Sequence, residues 1–307
     1  MNVTLFRSWK QRAAVLSAAL LAATFAAAPA AAATSTVASY TTTINGDSAD
    51  VYYPTTGNRL PVALFLQGAN VDKSHYSTYA STVASYGFVV AVPNHTRSLF
   101  GVNGLYPEGA QAGWTADWAE AEDDNPASPL FDRINENDLV LAGHSFGAAT
   151  ALSISAGLCV IPFCAIANLA PSELEAVVTY GGNNVLYGTD LVLPVLNTVP
   201  VGYIQGTADG VATPDEGQTT YHLTAGTPKA YITVAGANHY GITNGQNPAG
   251  ALPDPSAQTL NQATGVETTA RWSAQWLLAQ LGSSAARKYV YTTGDAADPN
   301  VTVTYVK

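Results

Sequence analysis

Three residues of this chain carry side chains that together could attack an acyl carbon: Ser145, Asp209 and His239. A serine hydroxyl becomes a nucleophile only when a base takes its proton. Histidine can do this near neutral pH, and a carboxylate behind it fixes the imidazole tautomer and stabilises its charged form. Each of the three closes an apolar run of strand length: residues 139–142 lead into Gly143-His-Ser145-Phe-Gly147, residues 201–205 into Gly206-Thr-Ala-Asp209-Gly210, and residues 230–234 into Ala235-Gly-Ala-Asn-His239. Gly143 and Gly147 leave room for a sharp strand-to-helix turn that lifts the serine hydroxyl clear of a sheet. The Phe146 amide, at the start of the helix, and the Ala69 amide, just past the apolar run 62–66, are the candidate donors to an oxyanion.

Elements able to hold such residues follow from the patterning. Apolar runs at 62–66, 88–92, 139–142, 176–180, 201–205 and 230–234 alternate with helical spacing at 74–86, 146–155, 214–223 and 262–281. Alternation of this kind implies a mostly parallel sheet with helices on both faces and its functional loops at the carboxyl ends of the strands. Ser, Asp and His then fall in the chain order of the α/β-hydrolase arrangement. Residues 37–44 and 50–53 read as two antiparallel strands about an Asn45-Gly46-Asp47 turn. Residues 289–292 and 301–305 read as a terminal β-hairpin. The stretch 96–130 has little periodicity and reads as a long connection, with Glu120-Ala-Glu122-Asp123-Asp124 as a solvated face. Phe100, Tyr106, Trp114 and Trp118 within it could line a cleft or pack the connection onto the body.

Rival groups are weaker on position. Asp190 and Asp215 do not directly follow a strand, and Asp215 suits a helix N-terminus. His144 reads as structural, His75 and His222 as surface or capping residues, and His95 ends a strand on the active face. Cys159 and Cys164 are the only cysteines. They read as a short-loop disulfide, with two buried thiols as the alternative, and four intervening residues do not suit a zinc site.

Residues 1–33 read as a secretory signal, with Arg7, Lys10 and Arg12 ahead of an apolar Ala/Leu-rich run and small residues at the cleavage region. Export places the protein outside the cell or in a periplasm. Residues 34–307 then form one domain, with 283–307 as a terminal extension and no repeat or linker dividing it. The formal net charge is −10, and the leader holds three of the 12 Lys and Arg but none of the 22 Asp and Glu. So acidic a chain excludes nucleic-acid binding, and the leader's apolar core, short for a span and without a charged stop-transfer flank, gives no basis for stable membrane insertion.

The sequence resembles a branch of the α/β hydrolases that holds platelet-activating-factor acetylhydrolases, chlorophyllases, dienelactone-hydrolase-like proteins and bacterial cutinase-type polyester hydrolases. The likeness lies in Pro61-Val-Ala-Leu-Phe-Leu-Gln67-Gly68, in Tyr79 through Ser85-Tyr-Gly-Phe-Val-Val-Ala-Val92, in Gly143-His-Ser-Phe-Gly147 and in Gly236-Ala-Asn-His239-Tyr-Gly, and spans about residues 60–282. It implies Ser145 as nucleophile, Asp209 as acid, His239 as base and the amides of Ala69 and Phe146 as the oxyanion hole. Members usually have His where this chain has Gln67, which can still hydrogen-bond and hold the loop. The Ser-Phe pair is nearest the acetylhydrolases, since chlorophyllases usually place Arg after the serine. The expected activity is cleavage of a carboxylic ester, small molecule, lipid or polymer, through an acyl-enzyme, with no metal or organic cofactor and no protein partner implied. An amidase or peptidase using the same triad and an inactive binding protein on the same fold are the competing readings.

Overall fold

A computed structural model describes residues 35–165, 170–186 and 188–307. The leader at 1–33 lies outside the described residues. In chain order the strands are β1 (Val37–Ile44), β2 (Asp47–Pro54), β3 (Leu60–Leu66), β4 (Val89–Pro93), β5 (Thr96–Leu99), β6 (Val102–Leu105), β7 (Ile134–His144), β8 (Leu174–Tyr180), β9 (Val201–Gly206), β10 (Lys229–Val234) and β11 (Val301–Val306). The helices are α1 (Ser77–Ser85), α2 (Gln111–Asp123), α3 (Phe146–Ser155), α4 (Pro214–Leu223), α5 (Gln262–Gln280), α6 (Ser284–Lys288) and α7 (Gly294–Ala297).

Nine strands make one sheet in the order β1-β2-β4-β3-β7-β8-β9-β10-β11. The run from β4 through β10 is parallel, while β1, β2 and β11 pair antiparallel at the edges. The central strands are apolar on both faces because helices cover both. Val140 and Ala142 of β7 join the core beneath α1 and α5, whereas Leu139 and Leu141 join the core beneath α2, α3 and α4. This is the α/β-hydrolase fold expected from the alternation of elements. The β1–β2 hairpin turns on Asn45 and Gly46, both at positive φ (47° and 90°), a backbone pair that this dipeptide adopts readily.

Two expectations need correction. The stretch 96–130 is not an unstructured connection: it contains the β5–β6 hairpin and the 13-residue helix α2. The buried side of α2 carries Gln111 and Thr115 beside Trp118, so polar residues inside the core hid the helical period from a hydrophobicity reading. The terminal hairpin does not form either. Residues 289–293 make a π-helical turn whose Tyr289 and Tyr291 pack, tilted and edge-on, against Trp272 and Trp276 of α5, with ring centroids 4.8 and 6.4 Å apart. Burying those rings against α5 wins over strand pairing, and only β11 remains extended. It pairs with β10 and covers what would otherwise be an open sheet edge. Asp298 anchors this return, accepting from the Trp272 indole at 3.0 Å and pairing with Arg271 at 2.8 Å.

Cys159 and Cys164 form a disulfide just after α3, closing the loop that carries Phe163. Cross-linking so short a loop restrains the unfolded chain by about 2 kcal/mol. Replacing both cysteines by serine is therefore expected to lower the unfolding free energy by an amount of that order, read as a lower urea midpoint at unchanged slope, and dithiothreitol should reproduce the loss in the wild type but change nothing in the variant.

Candidate active site

The β7–α3 turn supplies Ser145, with φ 53° and ψ −118°. Few L-residues adopt that conformation, and its cost of about 1–3 kcal/mol is met by packing on both sides. A side chain on Gly143 would run into the backbone of Gly147, and one on Gly147 would overlap the carbonyl of Leu66 at the end of β3. The Ser145 amide donates to Tyr180 O at 3.0 Å, tying the turn to β8. With the helix start pressed onto β3, Phe146 and Ala69 both border one cleft, and among the described residues neither backbone amide donates to another protein group.

Asp209, after β9, and His239, after β10, meet in the interior. His239 Nδ1 lies 3.0 and 2.9 Å from the two Asp209 carboxylate oxygens, and both side chains are almost wholly buried. Asp209 Oδ1 also accepts from the amides of Val211 and Ala212, at 2.9 and 2.8 Å. This leaves the carboxylate little freedom to turn. His239 and Ser145 face the same cleft, of about 540 Å³. A buried carboxylate behind an imidazole, with a strained serine in the same cleft, is an arrangement that can generate an alkoxide-like nucleophile and protonate a leaving group.

Two holding residues were not found by sequence reasoning. Asp254 accepts from the His239 amide at 2.7 Å and from the Gly210 amide at 3.2 Å, so one carboxylate ties the histidine loop to the aspartate loop. Tyr76 takes the Gly68 amide at 2.9 Å and lies 2.9 Å from His144 Nδ1, while His144 Nε2 lies 2.9 Å from the carbonyl of His239. A carbonyl only accepts, so Nε2 must carry the hydrogen and Nδ1 must accept from the Tyr76 hydroxyl. Burial first, and then the neighbouring His239, push the His144 pKa far below the ordinary histidine value, which keeps the ring in this neutral form. His144 is structural, as its place in the turn suggested. What it joins, the Gly68 loop to the His239 loop, could be seen only in three dimensions.

The loop after β3 departs from the expectation for Gln67. Its side chain is fully buried, and neither polar atom has a hydrogen-bond partner among the described residues. The loop is held instead by Tyr76 and by the β5–β6 hairpin, where Asn70 N donates to Leu105 O at 2.8 Å and Leu105 N donates to Asn70 Oδ1 at 3.0 Å.

Of the aromatic residues considered for the cleft, Tyr106 lines it, Trp114 and Trp118 pack α2 onto the sheet, and Phe100 stands exposed at the hairpin turn. The aromatic wall comes from Tyr106, Phe146 and Phe163, with Phe146 5.8 Å from Tyr106 and 4.9 Å from Phe163. Asp190 and Asp215 are exposed, Asp215 in the first turn of α4, and neither borders the cleft. His95 lies outside the cleft, with Asp47 at 2.8 Å and Glu108 at 3.2 Å. Among the described residues no three His, Cys, Asp or Glu side chains could hold a metal ion.

A family model described as Chlorophyllase matches residues 22–187, more than half of the chain. The matched stretch includes Ala69, Ser145 and Phe146 and ends before Asp209 and His239. No curated protein matches the chain.

Two measurements check this geometry. Tyr76→Phe leaves the Gly68 amide and His144 Nδ1 without their buried partner, which should cost about 1–3 kcal/mol of unfolding free energy; an unchanged urea midpoint would show the Tyr76 hydroxyl to be dispensable. Burial acts against charging His95, but hydrogen bonds and charges from Asp47 and Glu108 outweigh it and raise its pKa from 6.5 to about 9. The resulting stabilisation is full below the unfolded value and disappears as pH rises through the folded one. Urea titrations of the wild type should thus lose stability between about pH 6.5 and 9, and His95→Asn should lack that slope.

Proposed function

The chain belongs to the chlorophyllase family of α/β hydrolases and is thus an esterase-type hydrolase; from that premise we propose that it is an exported serine carboxylesterase working through an acyl-enzyme. One observation carries the reading: His239, paired with the buried Asp209, shares a cleft with Ser145, the residue held in the strained turn.

In this reading Ser145 Oγ attacks the ester carbonyl carbon while His239 Nε2 takes its proton. The carbonyl oxygen becomes an oxyanion facing the amides of Ala69 and Phe146, each worth about 3 kcal/mol in the transition state. Collapse breaks the bond to the alcohol oxygen, which leaves with the proton from His239. Water then repeats the sequence on the acyl-serine and releases the acid. Asp209 holds the imidazole with Nδ1–H toward it and stabilises its charged form. The size of the cleft suits an ester of small or intermediate size. Export is supported by the leader pattern and is compatible with the disulfide. No helix among the described residues is long and apolar enough to cross a membrane.

Initial rates on p-nitrophenyl esters from acetate to palmitate, beside Ser145→Ala and His239→Ala, test the proposal. Each variant should lose about 10⁴-fold or more in kcat with the fold intact, and pre-steady-state mixing should give one p-nitrophenol burst per Ser145. Full activity in Ser145→Ala would overturn the assignment. Faster turnover of p-nitroanilides than of esters would favour the amidase reading, and no rate above the variants on either would favour a binding protein.

A further inference from the structure

The charges around the cleft are one-sided. Glu216, in the first turn of α4, is the one carboxylate among the described residues that line it, and no lysine or arginine does. The undescribed internal residues, Ile166-Ala-Asn-Leu169 and Tyr187, add no cation. Arg97 does not line the cleft, and its guanidinium lies 5.8 Å from the centroid of the Phe146 ring. Its bonds go to the carbonyls of Tyr106, Pro107 and Pro162, at 3.0, 2.8 and 2.6 Å. It cannot turn toward a substrate without leaving all three.

Glu216 is held in place. Oε2 accepts from the Thr213 amide at 2.9 Å, closing the capping box of α4, and from Asn183 Nδ2 at 3.0 Å. Asn183 in turn accepts from the amide of Val185, and both Asn183 and Val185 border the cleft. Oε1 has no protein partner among the described residues. The result is a fixed, half-buried carboxylate at the wall of a partly apolar cleft, where screening is weaker than in bulk water. Tyr106, Phe146 and Phe163 line it with aromatic rings, whose faces attract cations and not anions.

We infer that Glu216 sets the charge selectivity of the cleft: esters with a cationic or neutral group beside the scissile bond are accepted, and those with a carboxylate or phosphate there are rejected. The inference rests on the esterase reading and names its substrate class. Capping α4 alone would explain why Glu216 is present, but any residue that caps equally well would then leave the charge preference untouched.

The test uses two matched substrate series. In the first the charge is on the acyl side: p-nitrophenyl 4-(trimethylammonio)butyrate, its uncharged isostere p-nitrophenyl 5,5-dimethylhexanoate, and p-nitrophenyl hydrogen glutarate. In the second it is on the alcohol side, with acetylcholine against 3,3-dimethylbutyl acetate. All are run with wild type, Ser145→Ala and Glu216→Gln, at low salt and at 0.5 M NaCl. The wild type is expected to favour the cationic over the anionic ester by about tenfold or more in kcat/KM, and to keep much of that preference in high salt, where the general negative field is screened. Glutamine still closes the capping box, so Glu216→Gln should keep the fold and lose most of the preference. A preference unchanged in Glu216→Gln, or none in the wild type in either series, overturns the inference. Should Glu216→Gln fail to fold, Leu186→Lys, at a partly exposed position on the same cleft, must shift the wild-type preference toward the glutarate ester or the inference falls. Hydrolysis of the neutral esters that is equal in Ser145→Ala and wild type would instead mean that the esterase reading itself had failed.

Discussion

The contact on which the rest of the structure depends is the crossing of the α3 start over the end of β3. Gly147 lies so close to the Leu66 carbonyl that no side chain fits between them. This approach forces Ser145 into its left-handed conformation and brings Phe146 to the same cleft as Ala69. The strain is local, and what resists it is not. β7 lies between β3 and β8, paired parallel to both and with both of its faces packed, so the turn cannot relax without separating central strands.

Around that turn, hydrogen bonds of fixed direction join loops from distant parts of the chain. The Gly68 amide donates to Tyr76, Tyr76 to His144, and His144 to the carbonyl of His239. Each donor has one acceptor and each acceptor one donor, so the chain admits a single arrangement of hydrogens while His144 stays neutral. On the other side of His239, Asp254 ties its amide to that of Gly210. The imidazole is thus located through its own backbone, held by the side chains of Asp254 and His144, as well as by Asp209.

The edges of the fold serve the same centre less directly. The β5–β6 hairpin braces the loop at Asn70 through one bond to its backbone and one to its side chain, and the disulfide loop after α3 carries Phe163 to the aromatic wall. At the far edge, β11 and the aromatic turn at 289–293 seal the sheet beside β10, from which the His239 loop departs. Polar residues inside α2 and aromatic residues in the C-terminal turn are where local pattern and packing part company: Gln111 and Thr115 are buried although polar, and Tyr289 and Tyr291 seek α5 instead of a strand partner.

The sequence by itself determined the alternation of strands and helices, the position of the sharp turn at Ser145, and the arrival of Asp209 and His239 at strand ends, because each depends on local periodicity and on glycines beside a single residue. The tertiary structure alone decided that Asp209 and His239 touch, that Asp254 and Tyr76 hold the loops, that Trp114 and Trp118 belong to the core and Phe163 to the cleft, and that Glu216 is the carboxylate on its wall. The reason is range. Periodicity reports which side of an element is apolar within a few residues, whereas a polar or aromatic side chain in a loop acquires its role from a partner dozens of residues away, and nothing in its own neighbourhood records that partner.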